Sequence, residues 1–146
     1  MKEFALLFSI VLAAVIAVWL PIRAQNAEEA AVRQALEHYL RGHATGDGEH
    51  FKKVFHPEAK LFWLRDGQFA QRTSAEYIGG ASGKAAADEA QRKRSIAHVD
   101  ITGNAAVAKL VLDYPNALIT DYMSLLKIDG EWKIVNKIFY VEPKKR

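Results

Sequence analysis

The sequence predicts an α+β domain, with helices at the front of the chain and an antiparallel sheet behind them. Three observations carry this reading. An amphipathic stretch opens the region after residue 24; three two-residue turn signals, Asp66-Gly67, Gly103-Asn104 and Asp129-Gly130, sit between strand-like runs; and no internal repeat interrupts the order. With 146 residues, half of them hydrophobic and a quarter charged, the chain has material for one core.

Residues 1–24 are expected to form a signal peptide and residues 25–146 the domain. Lys2 precedes an almost wholly apolar run from Phe4 to Leu20, Pro21 breaks it, and Ala24 offers a small residue for cleavage. The domain is then exported, periplasmic or secreted. The alternative is a membrane anchor through residues 4–20, a run near the lower edge of what spans a bilayer, and contact with a membrane is expected only in that case. The chain has no cysteine, so neither a disulfide framework nor a lipid-modified cysteine is available. Without residues 1–24 the balance is 18 basic against 16 acidic side chains, too small an excess to argue for nucleic acid. Pro143-Lys144-Lys145-Arg146 reads as a frayed, solvated tail.

Asn26 followed by Glu29 reads as a capping box, and Ala31, Val32, Ala35, Leu36, Tyr39 and Leu40 then recur on one face of a helix running to about His43. Glu29 with Arg33, and Glu37 with Arg41, stand four apart on its wet side. Asp47 caps a short second helix carrying Phe51, Val54 and Phe55, closed at His56-Pro57 because the residue before a proline avoids helical geometry. Hairpins are expected at 60–65 with 68–70, at 94–102 with 105–114, and around Asp129-Gly130. Between the first two lie a short helix over 73–78 and a Gly- and Ala-rich stretch from Gly79 to Ala90, the candidate mobile segment.

Side chains alternate along a strand and a two-residue turn fixes register, so each hairpin sorts into faces. Ala97, Val99, Ile101, Ala106, Ala108, Leu110 and Leu112 form the helix-facing side of the second hairpin, opposite Ile96, His98, Asp100, Val107, Lys109 and Val111. In the last hairpin Trp132, Leu125, Ile134, Met123 and Ile138 face inward with Lys127, Asp121 and Asn136. Glu131, Lys133 and Lys137 share the outer face with Ile128, Leu126, Val135 and Tyr122. A carboxylate on an apolar inner face is costly unless paired or solvated. Asp121 and Asn136 therefore mark either a hydrogen-bonded strut or the wall of a pocket. Phe62 and Trp63 alternate, so only one of them reaches the inside.

The runs GDGEHFKKVFHPEAKLFWL, VDITGNAAVAKL and DYMSLLKIDGEWKIVNKIF, spread over residues 27–141, make the chain similar to the Putative lumazine-binding family of the nuclear transport factor 2-like superfamily. The resemblance implies a cystatin-like roll: a strongly curved antiparallel sheet wrapped as a cone around the N-terminal helices, with a pocket at the open end. Superfamily members include ketosteroid isomerases, scytalone dehydratases, limonene epoxide hydrolases and polyketide cyclases, alongside pure binding modules.

The preferred reading is an exported small-ligand-binding domain whose pocket takes a small apolar or aromatic molecule. Tyr39 of the first helix and Met123, Asn136 and Ile138 of the sheet are its candidate ligand-binding residues. The alternative is a cofactor-free isomerase, dehydratase or cyclase with Asp121 as general base, Asn136 orienting it or polarising a substrate carbonyl, and His56 as the acid. A loop hydrogen bond before a turn-forming proline is the plainer role for His56. A third class is an interaction protein acting through its outer sheet, and a homodimer through that face is expected. No cofactor is called for, and His38, His43, His50, His56 and His98 lack the spacing of a helical zinc site.

Overall fold

The computed structural model describes residues 25–145; the expected signal segment lies outside them. Helix α1 occupies 25–45 and is already helical at Gln25, so Asn26 lies inside it rather than capping it. Val32, Leu36 and Tyr39, spaced four and three apart, are fully buried along one stripe. Helix α2, Gly48–Val54, starts where the Asp47 carboxylate accepts the Glu49 amide at 2.9 Å. It lays Phe51 against Gly42 of α1, where the ring comes so close that a Cβ on residue 42 would stand 2.5 Å from it. Among the described residues no helix is long and apolar enough to cross a membrane.

Six strands follow: β1 Phe55–Arg65, β2 Gln68–Thr73, β3 Lys93–Thr102, β4 Ala105–Tyr114, β5 Ala117–Ile128 and β6 Glu131–Pro143, with helix α3, Ser74–Gly79, between β2 and β3. They form one curved, unclosed sheet in the order β2-β1-β6-β5-β4-β3. All neighbours are antiparallel except β1 and β6, which run parallel. Asp66-Gly67 and Asp129-Gly130 each put both turn residues at positive φ, between 51° and 84°, the requirement of the hairpin turn that follows the sheet's twist. Pro115-Asn116 adds a fourth tight link, joining β4 to β5. The C-terminal tail is tied down: Lys144 bonds Asn116 O through its amide at 3.0 Å and Asp113 through its ammonium.

Three departures from simple alternation matter. β1 begins at Phe55, earlier than expected, because its irregular register against β6 between Phe55 and Lys60 accommodates Pro57. In β3 the register slips between Ile96 and His98, so Ile96 pairs with Leu110 and packs on the core while Ala97 is exposed, the reverse of the expected faces. In β6 the slip falls between the pairs Leu125–Ile134 and Ser124–Asn136, leaving Val135 as the extra residue. Beyond it Lys137 and Phe139 turn inward with Met123 and Asp121, and Asn136 and Ile138 turn out.

The two ends of the cone are closed differently. Near the Asp129-Gly130 turn, Glu28 at the start of α1 accepts the Lys127 ammonium at 2.6 Å and the Trp132 indole at 3.0 Å. At the other end Thr73 and Glu76 cap α3 reciprocally, and the Ser74 hydroxyl donates to Pro57 O at 2.7 Å, which docks α3 on β1. Residues 80–88 form a loop anchored by the Gly83 amide on Gly46 O at 2.8 Å; the 3-10 turn Glu89–Gln91 follows, and Arg94 makes a two-pronged ion pair with Glu89.

Candidate functional site

At the wide end, α1 supplies Tyr39 and His43, four apart and so on one helix face; α3 supplies Tyr77, β5 Asp121, and β6 Lys137 and Phe139. Asp121 is fully buried. Its Oδ2 accepts the Tyr39 hydroxyl at 2.7 Å, while Oδ1 lies 2.9 Å from Lys137 Nζ in an ion pair that lacks good hydrogen-bond direction. The ammonium donates instead to Tyr39 Oη at 2.5 Å, closing a triangle of carboxylate, phenol and ammonium. Around it the rings of Phe139, Tyr39 and Tyr77 stand 4.7, 4.9 and 5.5 Å from Nζ, a cage that favours a cation.

A cavity of about 280 Å³ opens against this triangle, lined by Lys137, Tyr39, Tyr77, Trp63 and Phe139, with Leu61, Leu112 and Ile119 as apolar wall. Asp121 stands behind that wall. The strut and the pocket posed as alternatives by the sequence therefore coexist, with Asp121 in the strut and its two partners facing the cavity. Burial, then the neighbouring Tyr77 and the Asp121 charge, hold the Tyr39 phenol far above its ordinary range, so it stays protonated. Burial lowers the Lys137 ammonium from its usual value and the Asp121 charge opposes that shift. His43 Nε2 lies 2.8 Å from the Tyr77 hydroxyl, and burial, followed by the positive charges of Lys137, Arg94 and Arg92, pushes its pKa down to about 3. The imidazole is neutral at ordinary pH, and the same shift makes it a weak base in the empty cavity.

Of the residues expected at the site, Tyr39 lines this cavity, Met123 is buried beside it on the inner face, and Asp121 stands behind it. Asn136 and Ile138 are not brought to it, because the extra residue in β6 turns them outward, where with Tyr122 and Ser124 they border a separate hollow of about 400 Å³ on the outer face. His56 is also elsewhere: its Nδ1 accepts the Glu58 amide at 3.2 Å in the loop-like start of β1. Lys137, expected on the outer face, instead points inward because of the extra residue in β6, and His43, Tyr77 and Trp63 join it without having been expected as site residues. His43 was legible as the residue one turn after Tyr39, and Lys137 as the cation one register step from an inward carboxylate. A wider hollow of about 420 Å³ lies between α1, α2 and the Asp129-Gly130 turn. Its rim of Gln34, His38, Lys53, Glu131 and Lys133 is charged and open, so the smaller, apolar cavity is the better ligand site.

With this geometry in view, the model of the family described as Putative lumazine-binding matches residues 27–140. The chain belongs to that family. The solved structure of a nuclear transport factor 2-like protein of unknown function from Shewanella baltica OS155 is 25% identical, covers 81% of this chain and 96% of its own, and superposes with a TM-score of 0.73. One from Methylobacillus flagellatus KT, also 25% identical, covers 80% and 93% with a TM-score of 0.67. Another, from Silicibacter pomeroyi DSS-3, is 20% identical with a TM-score of 0.71 over 81% and 98%, a likeness of fold. Among characterised relatives, Aldolase FrzH of Cladobotryum sp. is 28% identical over 112 residues, 73% of this chain and 85% of that protein. The nuclear transport factor 2-like cone and the family expected from the sequence are thus both found.

Proposed function

We propose that the domain binds a small planar molecule in the wide-end cavity and holds its inner end with Lys137 and Tyr39. One observation carries this reading: the fully buried Asp121 carboxylate is engaged by Tyr39 and Lys137, and those two groups, not Asp121, face the cavity. Asp121 is then the fixed counter-charge that keeps a lysine ammonium inside an apolar wall. A ligand carbonyl or ring nitrogen replaces the water that would otherwise solvate that ammonium. Isothermal titration calorimetry with lumazine and other bicyclic carbonyl compounds tests it. Binding should be lost when Asp121→Leu and Lys137→Met are combined, a pairing that removes both charges together. Undiminished binding in that variant refutes the assignment.

The likeness to an aldolase supports a second reading, cofactor-free chemistry on a carbonyl compound. Lys137 and Tyr39 would polarise the carbonyl, and His43, which lines the cavity while Asp121 does not, would be the group placed to take the adjacent proton. Exchange of α-protons of a bound ketone in deuterated water checks this, with loss expected in His43→Gln.

The outer sheet face is the proposed dimer interface. Phe69, Ile138 and Tyr122 are exposed by 70%, 50% and 47% across strands β2, β6 and β5, a larger apolar surface than scattered side chains make. Light scattering on residues 25–146 should give twice the chain mass, and Ile138→Asp the single mass. Export of the domain is proposed as well, and N-terminal sequencing of protein recovered from the cell envelope tests it, Gln25 being the expected first residue and an intact Met1 on membrane-bound protein the contrary result.

A further inference from the structure

The mouth of the cavity carries a charge that no described residue answers. Along β1 the inner side chains are Leu61, Trp63 and Arg65, and Leu61 pairs across the edge with Arg72 of β2, so both arginines project on the cavity side. Their guanidinium carbons lie 5.6 and 5.8 Å from the Trp63 ring centre. Both residues are exposed, and neither meets a carboxylate within ion-pair distance among the described residues. Elsewhere Arg33, Arg92 and Arg94 each have one at 2.6 to 2.8 Å. Among the described residues no acidic side chain lines the cavity, and its inner cation, Lys137, is already matched by Asp121.

Resting on the binding reading above, we infer that the ligand is a small planar carboxylic acid, its carboxylate held at the mouth by Arg65 and Arg72 and its ring laid on Trp63 and Phe139. Both guanidinium groups lie over the Trp63 ring, and planar forks of this kind match a carboxylate with two parallel hydrogen bonds each. Apolar walls concentrate their field inside the cavity, where Arg72 is close enough to act on the Tyr77 phenol. Trp63 and Phe139 form a stacked wall, with ring centres 5.3 Å apart and planes inclined by 28°. The cavity, about 280 Å³, suits one or two fused rings. The same molecule thus meets a cationic clamp outside and the Lys137–Tyr39 donors within.

Calorimetric titration with 2-naphthoate and its neutral amide, 2-naphthamide, tests the inference on the wild-type domain and on Arg65→Gln/Arg72→Gln. The acid should bind roughly tenfold more tightly than the amide in the wild type, and the double variant should bring the two together by weakening the acid alone. Raising the salt should weaken the acid and spare the amide. Equal affinity of acid and amide in the wild type, or an acid unaffected by the double variant, overturns the carboxylate inference while leaving the cavity reading intact. Failure of both probes to bind overturns the two together.

Discussion

Two lysines ten residues apart on the last hairpin each pair with a carboxylate, and they do different things. Lys127 meets Glu28 at 2.6 Å with both side chains about a third exposed; Lys137 meets Asp121 at 2.9 Å with exposures of 5% and 0%. In water an ion pair gains little, since solvent and salt compete for both partners. Inside an apolar wall neither charge has another recourse, so each exists because the other does. The narrow end of the cone is therefore clipped by a replaceable contact, whereas the wide end keeps both charges of its pair buried.

The largest expected effect separates these two pairs. Asp121→Asn leaves the Lys137 ammonium buried without its counter-charge, at a cost of about 3 to 5 kcal/mol and a fall in melting temperature of at least ~10 °C. Asp121→Leu combined with Lys137→Met should melt above either single variant, because removing both charges leaves none stranded. A double variant as unstable as the sum of its parts would mean that the pair is not coupled.

A smaller effect is expected from acid. The folded-state pKa of His43 lies below its unfolded value, so the unfolded chain takes up the proton first. The stability tied to this group is complete above about pH 6.5 and declines as pH falls toward 3. Between pH 7 and 5 the loss should be roughly 1 to 2 kcal/mol by calorimetric melting. His43→Gln should flatten that slope. His38, whose pKa is also lowered mainly by burial, adds a lesser part that His38→Gln isolates. The carboxylates held low by hydrogen bonds, Glu28, Glu76, Glu89 and Glu131, lose their contribution only below about pH 4.5. A wild-type profile flat down to pH 5 contradicts the buried imidazole.

The smallest effect belongs to the narrow end. Lys127→Met should shift the melting temperature by no more than the scatter between replicate melts, and raised salt should change nothing further. A loss as large as that of Asp121→Asn would erase the distinction between the two ends.

Much of this comparison was legible in the chain. The Asp-Gly and Gly-Asn turns fixed three hairpins because those residues reach positive φ cheaply, and the stripe of Val32, Leu36 and Tyr39 placed α1 on the sheet. Strand β5 runs without interruption from Leu125 through Met123, so simple alternation put Asp121 inside, where it is. Its partner was hidden because one extra residue, Val135, reverses every face beyond it, and no local feature of Ile-Val-Asn-Lys announces a bulge. The parallel pairing of β1 with β6 was equally silent, being a contact between segments some 75 residues apart with Pro57 at the irregular start. The need of a buried carboxylate for a donor was the usable signal, and Lys137 was one step away.

The central claim is that the ligand meets Lys137 and Tyr39, with Asp121 acting only through them. A crystal structure of the domain with whichever planar compound titrates most tightly tests it most directly. The ring should lie on the wall of Trp63 and Phe139, with a ligand acceptor within hydrogen-bond distance of Lys137 Nζ or Tyr39 Oη and Asp121 still on its two partners. A ligand bonded directly to the Asp121 carboxylate, or bound outside this cavity altogether, would contradict it.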